Sequence, residues 1–284
     1  YFSSMESKQF HITKSSGEQV KFSMDKLQHS LQHSGASDDM VQEIVQRVQD
    51  ELYQGITTRE IYNRAYALLK KKKSVYASKY KLKKAIYELG PTGFPFEKFI
   101  SGILYYSGYQ TKVGEMLQGT CVSHEIDVIA IKNGILNVIE CKFHSDDGLK
   151  CNVKVPLYIN SRYKDVKTPL NSQKEKSFKD TEGWVVTNTR FTNDALEYGK
   201  CAGLYLLSWD YPHGDGLKER IDRLRLYPIT VSTLLSGREK DFLLERDIVL
   251  FRQLEKNIFL LDHLGVSNGR KQRILKEMKS LCNS

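Results

Sequence analysis

The first 90 residues alternate between short strand-like runs and longer runs with helical spacing. Phe10 to Lys14 and Gln19 to Phe22 predict a β-hairpin that turns at Ser15-Ser16-Gly17. Apolar residues then recur every three to four positions, the pattern of amphipathic helices. Helices are predicted from an Asp25 cap to His33, from Asp38 to Tyr53 after a Ser37 cap, from Thr57-Thr58 toward Leu69, and from Tyr80 to Leu89.

Gly90-Pro91-Thr92-Gly93 predicts a domain boundary, because two glycines and a proline cannot continue a helix. Beyond it the pattern changes to helices mixed with strands, which predicts an α/β core. Residues 149 to 182 are polar and rich in lysine, and they indicate only loop and helix of uncertain extent. Helices are predicted over 96–108 and 193–198, and strands over 126–132, 135–142, 184–187 and 203–209.

Asn133-Gly134 lies between two apolar runs and predicts a tight β-hairpin, since both central residues of a type I′ turn need a positive φ. If Lys132 faces Ile135, counting along the ladder places Asp127 opposite Glu140 and Glu125 opposite Lys142. Alternation along the strand places Glu140 and Lys142 on one face. Both faces of the hairpin are apolar, so we expect both to be covered.

Two facing carboxylates repel each other, and more strongly when they are partly buried, so a cation is expected between Asp127 and Glu140. Hard oxygen ligands favour Mg²⁺ or Mn²⁺. Lys142 would then orient water and stabilise charge on a phosphate, and Glu97 is a further candidate ligand on its helix. The alternative is a salt-bridge cluster at the strand end, without catalysis.

His124 and His144 flank this hairpin and could contact phosphate, or could be hydrogen-bonded residues at the sheet edge. The net charge of +9 is concentrated in the two ends of the chain, while the middle is nearly balanced. Basic flanks suit a polyanion such as nucleic acid, and equally an ordinary basic surface. Five cysteines without C-x-x-C spacing, and no apolar run long enough to cross a bilayer, favour a reducing cytoplasmic setting.

Residues 94–209 resemble an Mrr-type restriction endonuclease of the PD-(D/E)XK superfamily. The resemblance is carried by Phe96-Glu97, Gly108-Tyr109, 124–128, Ile139-Glu140-Cys141-Lys142, Val186-Thr187-Asn188 and Phe191-Thr192. Many members have glutamine where this chain has Glu140. The resemblance implies a central mixed β-sheet between helices, Mg²⁺ as cofactor and DNA as substrate. It also implies Glu97, Asp127, Glu140 and Lys142 as active-site residues.

Residues 10–80 resemble an ATP-cone, a nucleotide-binding regulatory module. The matching residues are Ile12, Lys14, Gly17, Phe22, Lys26-Leu27, Ile44, Val48, Thr58, Ile61 and Tyr80. The resemblance implies ATP or dATP as effector, with Lys14, Lys21 and Lys26 as phosphate partners. The family usually has Lys-Arg before an acidic residue and glycine, whereas Ser15-Ser16-Gly17 follows Lys14 here. A structural or dimerising cone therefore remains an alternative.

The chain is expected to divide into a tag remnant and start (1–7), the ATP-cone-like domain (8–90), the nuclease-like domain (91–239) and a helical tail (240–284). Residues 264–269 predict a tight turn between two short helices, and residues 264–281 are similar to a helix-hairpin-helix element, which could hold DNA phosphate, or could be a plain packing helix pair. The leading hypothesis is a Mg²⁺-dependent DNA endonuclease regulated by ATP or dATP, with DNA and nucleotide as partners and a homodimer allowed. The alternatives are a nucleotide-sensing DNA-binding regulator with an inactive nuclease fold, and a purely structural role.

Overall fold

The structure is a computed structural model, which describes residues 10–14, 17–146, 148–172 and 178–282. The predicted tag remnant over residues 1–7, and Ser15 and Ser16 of the predicted turn, lie outside the described residues. The chain divides into two compact units between Leu82 and Lys83, called here the first unit and the second unit. No helix in the described ranges is both long and apolar enough to span a membrane.

The first unit is a small antiparallel hairpin followed by helices. Its core is formed by the apolar faces of the helices together with Ile12 from the hairpin. The helix lengths follow the predicted amphipathic runs. The elements are β1 (His11–Thr13), β2 (Gln19–Lys21), α1 (Met24–His33), α2 (Asp38–Asp50), α3 (Thr58–Lys72) and α4 (Ser74–Tyr80).

Three predicted details of the helices differ in the structure. The cap of α1 is Ser23, whose side chain accepts the amide of Lys26, and not Asp25, which lies in the first turn where its charge suits the helix dipole. α2 ends at Asp50 instead of Tyr53. The helix predicted from Tyr80 to Leu89 is the shorter α5 (Leu82–Tyr87), and α4 before it was not predicted.

The second unit has a mixed α/β fold, with a five-stranded mixed sheet flanked by helices. The strand order is β3-β4-β5-β7-β9, in which the first two pairs are antiparallel and the last two are parallel. A separate parallel pair joins β6 to β8. The elements are α6 (Phe94–Tyr106), β3 (Gln110–Gln118), β4 (Ser123–Lys132), β5 (Ile135–Lys142), β6 (Lys150–Cys151), α7 (Lys154–Ser172), β7 (Asp180–Thr187), β8 (Arg190–Phe191), α8 (Asn193–Cys201) and β9 (Tyr205–Leu207).

Both faces of the β4–β5 hairpin are buried, as the sequence predicts. Ile129 and Val138 pack in one cluster with residues of α7. Val128 and Ile139 alternate with them and are also fully buried. A site at the end of this hairpin therefore lies beside a closed core from which water is excluded.

The remainder of the second unit is helical. The predicted turn between two helices is present: Gly265 has a φ of +67°, and the amide of Val266 bonds to the carbonyl of Leu261. The elements are α9 (Leu217–Leu224), α10 (Gly237–Leu244), α11 (Phe259–His263) and α12 (Asn268–Cys282), with two 3₁₀ turns at Ile229–Val231 and Phe251–Lys256.

Candidate active site

The β4–β5 turn has the predicted type I′ character, because Asn133 and Gly134 have φ values of 54° and 78°. The register is also the one obtained by counting, and runs from Lys132 opposite Ile135 to Val128 opposite Ile139. The next position on each strand holds a carboxylate, Asp127 on β4 and Glu140 on β5. A short turn motif therefore places two acidic residues at the same level of the sheet.

Asp127 lies where the paired ladder between β4 and β5 ends. Its Oδ2 accepts a hydrogen bond from the amide of Cys141 at 2.7 Å, in the place of a backbone carbonyl. Because the ladder ends there, the expected pairing of Glu125 with Lys142 is not part of it. Burial raises the pKa of Asp127, and the Cys141 amide and the Arg162 charge offset part of that rise.

Glu140 is the most enclosed member of the site and is only 6% exposed. Its Oε2 accepts a hydrogen bond from Nη1 of Arg162 at 2.7 Å, whereas its buried Oε1 has no partner among the described residues. Burial, and then the neighbouring charges of Asp127 and Glu97, raise the pKa of Glu140 to about 8. An unsatisfied buried oxygen of this kind is a position where a further cation would be stabilised.

Glu97 lies in the first turn of α6, where a helix dipole by itself favours a charged carboxylate. The pKa of Glu97 is nevertheless raised to about 7, by burial first and then by the charges of Asp127 and Glu125. Burial, together with the repulsion among carboxylates, therefore outweighs the dipole. The structure thus brings Glu97, Asp127 and Glu140 within electrostatic reach of one another.

Lys142 is exposed at the end of β5, on the same side of the strand as Glu140. Both line a cavity of about 230 Å³, together with Lys154 and Tyr158 from α7. The predicted common face of Glu140 and Lys142 is therefore present. Of the three carboxylates, Glu140 alone lines this cavity, and it is buried where Lys142 is exposed.

Arg162 is the member of this site that the sequence did not reveal. It extends from α7 to Glu140, and its Nη2 also donates to the backbone carbonyl of Glu125. Its buried Nε has no partner among the described residues. α7 lies in the polar, lysine-rich stretch from 149 to 182, whose sequence does not define the bounds of its helix. No sequence pattern therefore links this arginine to the hairpin.

The two flanking histidines differ in their environment. His124 is held through its Nε2 by Oδ2 of Asp165 at 2.7 Å, which makes it a hydrogen-bonded residue at the sheet edge. His144 donates its backbone amide to the side chain of Asn188, and its buried Nε2 has no partner in the described part of the chain. Burial, with the charge of Lys142, lowers the pKa of His144.

The carboxylates fit a hard divalent ion only in an open arrangement. No group of three or more His, Cys, Asp or Glu side chains among the described residues is arranged to hold a metal ion. Mg²⁺ commonly keeps several waters and takes only one or two protein carboxylates, so a complete cage is not required. The free Oε1 of Glu140 beside Asp127 is the observation that favours such an ion.

The pair of Arg162 and Glu140 gives a first test of this geometry. We expect Arg162→Met to lower the free energy of unfolding by about 3–5 kcal/mol at pH 9, because it leaves a buried charged carboxylate alone. The loss should shrink at pH 5, where Glu140 is protonated, since its pKa is raised to about 8. Urea unfolding followed by tryptophan fluorescence measures both values.

The double variant Arg162→Met with Glu140→Gln is the control for this prediction. It should recover most of the stability lost at pH 9, because no charge is then left unpaired. An equal loss at both pH values, without recovery in the double variant, would show that Arg162 acts through packing alone.

The three lysines proposed to bind nucleotide all lie on the surface of the first unit. Lys14 forms an ion pair with Glu18 at 2.8 Å. Lys21 ends β2, and Lys26 lies in the first turn of α1. All three are exposed, so their ammonium groups are accessible to a phosphate.

Comparison with known proteins identifies the first unit as an ATP-cone domain, because the model of that domain matches residues 10–88. Residues 227–282 match the model described as AF1548-like, C-terminal. A protein of Archaeoglobus fulgidus described as "Uncharacterized protein" is 31% identical over 184 residues, which cover 63% of this chain and 97% of that protein. The chain belongs to the family of that protein.

A solved structure extends the same comparison. The "Crystal Structure of Protein of Unknown Function AF1548" is 28% identical, with a TM-score of 0.55, and the match covers 68% of this chain and 100% of that one. The match to the ATP-cone confirms the predicted N-terminal module, and it suggests nucleotide-sensing regulation.

Proposed function

We propose that the protein is a Mg²⁺- or Mn²⁺-dependent DNA endonuclease, similar to Mrr-type enzymes of the PD-(D/E)XK superfamily, whose activity is regulated by ATP or dATP at the ATP-cone domain. The single observation that carries the proposal is the clustering of Glu97, Asp127 and Glu140, with Lys142 lining the same cavity as Glu140. Groups with strongly perturbed pKa values concentrate at functional sites, and this cluster contains two of them, Glu97 and Glu140.

In this proposal each side chain has a distinct role. Asp127 and Glu140 hold the metal ion, with Glu97 as a third candidate, and a bound ion supplies activation of water and neutralisation of phosphate charge. Lys142 orients the attacking water or donates to a phosphate oxygen as negative charge develops. The core behind the hairpin keeps bulk water from the buried side of these groups.

The test of this function is cleavage of supercoiled plasmid DNA by the full chain with Mg²⁺ or Mn²⁺, with and without ATP. We expect nicking or linearisation by the wild type and none by the double variant Asp127→Asn with Glu140→Gln. Asp194→Asn is the control, since this exposed carboxylate lies on α8, away from the cluster. Cleavage that persists in the double variant would overturn the assignment.

One observation favours a second candidate, a nucleotide-sensing DNA-binding regulator whose nuclease-like unit does not cut. The guanidinium of Arg162 lies 2.7 Å from Oε2 of Glu140, so this carboxylate already has a cationic partner without a metal ion. This candidate predicts a gel shift of duplex DNA that responds to dATP and is unchanged by Lys142→Ala. Metal-dependent cleavage that is lost in Lys142→Ala would exclude it.

The nucleotide part of the proposal predicts that Lys21→Ala or Lys26→Ala weakens binding of ATP or dATP by about 10- to 100-fold. A hydrogen bond to a charged group contributes about 1.5–3 kcal/mol, and either lysine can donate one to phosphate. Calorimetric titration of the full chain with each nucleotide measures the change.

Lys71→Ala is the matched control, because Lys71 is exposed in the same unit near the end of α3. It should bind nucleotide like the wild type. Unchanged affinity in both Lys21→Ala and Lys26→Ala, or an equal loss in the control, would contradict the assignment of these phosphate partners.

A further inference from the structure

Tyr158 is an exposed aromatic residue beside the candidate active site. It lies on α7 and is 64% exposed, although it lines the cavity that contains Glu140 and Lys142. The guanidinium carbon of Arg162 lies 5.7 Å from the centroid of its ring. Its hydroxyl has no hydrogen-bond partner within the described part of the chain. Packing therefore does not account for this side chain.

Tyr158 lines two cavities of the second unit. One is the cavity of about 230 Å³ that Glu140 and Lys142 also line. The other has a volume of about 540 Å³ and is lined by Tyr158 together with His124, Arg162, Lys164 and Asp165. A chain molecule that occupies both cavities would therefore contact the tyrosine ring in each.

The charge around the ring is suited to phosphate. Four cationic side chains line the two cavities, against two carboxylates, Glu140 and Asp165. Both carboxylates already have partners: Glu140 pairs with Arg162, and Asp165 accepts from His124 and from the amide of Cys121. Because Arg162 is engaged by Glu140, the cations that remain for phosphate are the exposed Lys142, Lys154 and Lys164.

We propose that Tyr158 is a stacking platform for one unpaired base, and that the substrate of this site is single-stranded or locally unpaired DNA. The inference rests on the proposed function, and it adds the class of substrate. Positive charge along a groove with an aromatic ring in its path is the arrangement that binds single strands, because each base has a face that can stack. In a paired duplex the neighbouring bases of the stack cover those faces. The tyrosine ring can therefore stack only on a base that has left the duplex or was never paired.

The test compares the affinity of the full chain for a single-stranded oligonucleotide with its affinity for the same oligonucleotide in duplex form. A length of about 15 nucleotides is longer than many single-strand binding sites. Divalent metal is left out so that no cleavage competes. We expect the wild type to prefer the single strand, and Tyr158→Ala to bind it roughly 5- to 150-fold more weakly. Fluorescence anisotropy gives the affinities, and quenching of an aminopurine base in the strand reports stacking directly.

Two conservative variants and one control make the test specific. Tyr158→Phe and Tyr158→Trp keep an aromatic face and should retain both the affinity and the quenching. Tyr105→Ala removes a tyrosine of similar exposure, 62%, that lines neither of the two cavities, and should behave like the wild type. Since the Tyr158 side chain is exposed, Tyr158→Ala should unfold at the same urea concentration as the wild type.

Two results would overturn the inference. The first is unchanged binding of the single strand by Tyr158→Ala, and the second is binding of the duplex by the wild type at least as tightly as it binds the single strand. Different results would reject the stacking role of Tyr158 and the proposed nuclease activity. Metal-dependent cleavage lost in the Asp127→Asn and Glu140→Gln double variant, with unchanged binding in Tyr158→Ala, would reject the platform alone. Strand binding that depends on Tyr158, without any cleavage, would reject the nuclease alone.

Discussion

We expect the Lys142→Ala protein to cut DNA about 10²- to 10³-fold more slowly than the wild type, the usual effect of removing one preorganised donor from a site where charge develops. Lys142 lies on the same face of β5 as Glu140 and lines the same cavity. Its side chain is exposed, so the substitution should leave the fold intact. Single-turnover cleavage at saturating metal separates this effect from DNA binding.

Lys150→Ala is the matched control for this prediction, because Lys150 is an exposed lysine on β6 of the same unit. It should cut at a rate close to that of the wild type. Lys142→Arg should retain part of the activity, since the charge remains while its position changes. Full activity in Lys142→Ala would show that Lys142 has no catalytic role, and that only the carboxylates take part in the proposed reaction.

The second large effect is an unusual dependence of stability on pH. Glu140 and Glu97 have pKa values raised by burial and by neighbouring carboxylates to about 8 and about 7, from an ordinary value of 4.5. Between pH 4.5 and about 8, the folded state therefore binds more protons than the unfolded state. The free energy of unfolding should fall as the pH rises from about 4.5 to about 8, and the loss should be complete above that range.

For Glu140 alone the loss should reach several kcal/mol, since each unit of pKa difference corresponds to about 1.4 kcal/mol. Urea unfolding measures it, and the two tryptophans, Trp184 and Trp209, both report on the second unit. Glu140→Gln should flatten the slope, whereas Asp194→Asn should not change it. A second unit whose stability is constant or rises over this pH range would show that these carboxylates are not buried together.

The sequence predicted the part of the site that depends on local rules. The Asn133-Gly134 turn requires a positive φ at two successive residues, which sets the register of the hairpin and places Asp127 at the level of Glu140. Alternation along β5 then brings Lys142 to the same face. These relations depend on neighbours in one hairpin, so no tertiary information was needed.

The elements that were not predicted depend on tertiary structure. β3 is an edge strand whose one partner is β4, and its residues alternate between exposed and half-buried positions, so its sequence has no continuous apolar run. α7 is long, but most of its residues are polar. The apolar residues that pack on the sheet therefore do not give a clear helical pattern in the sequence. Arg162 reaches Glu140 only because α7 crosses β5, and spacing along the chain cannot reveal that contact.

Calorimetric titration of the full chain with Mn²⁺ at pH 8 measures whether Asp127 and Glu140 together bind a divalent ion. We expect saturable binding by the wild type and by Asp194→Asn, and an affinity lower by at least 10-fold, about 1.4 kcal/mol, in Asp127→Asn with Glu140→Gln. At about 100 times the dissociation constant, Mn²⁺ should also stabilise the wild type by about 2.7 kcal/mol. Equal Mn²⁺ binding by the wild type and the double variant would contradict this expectation.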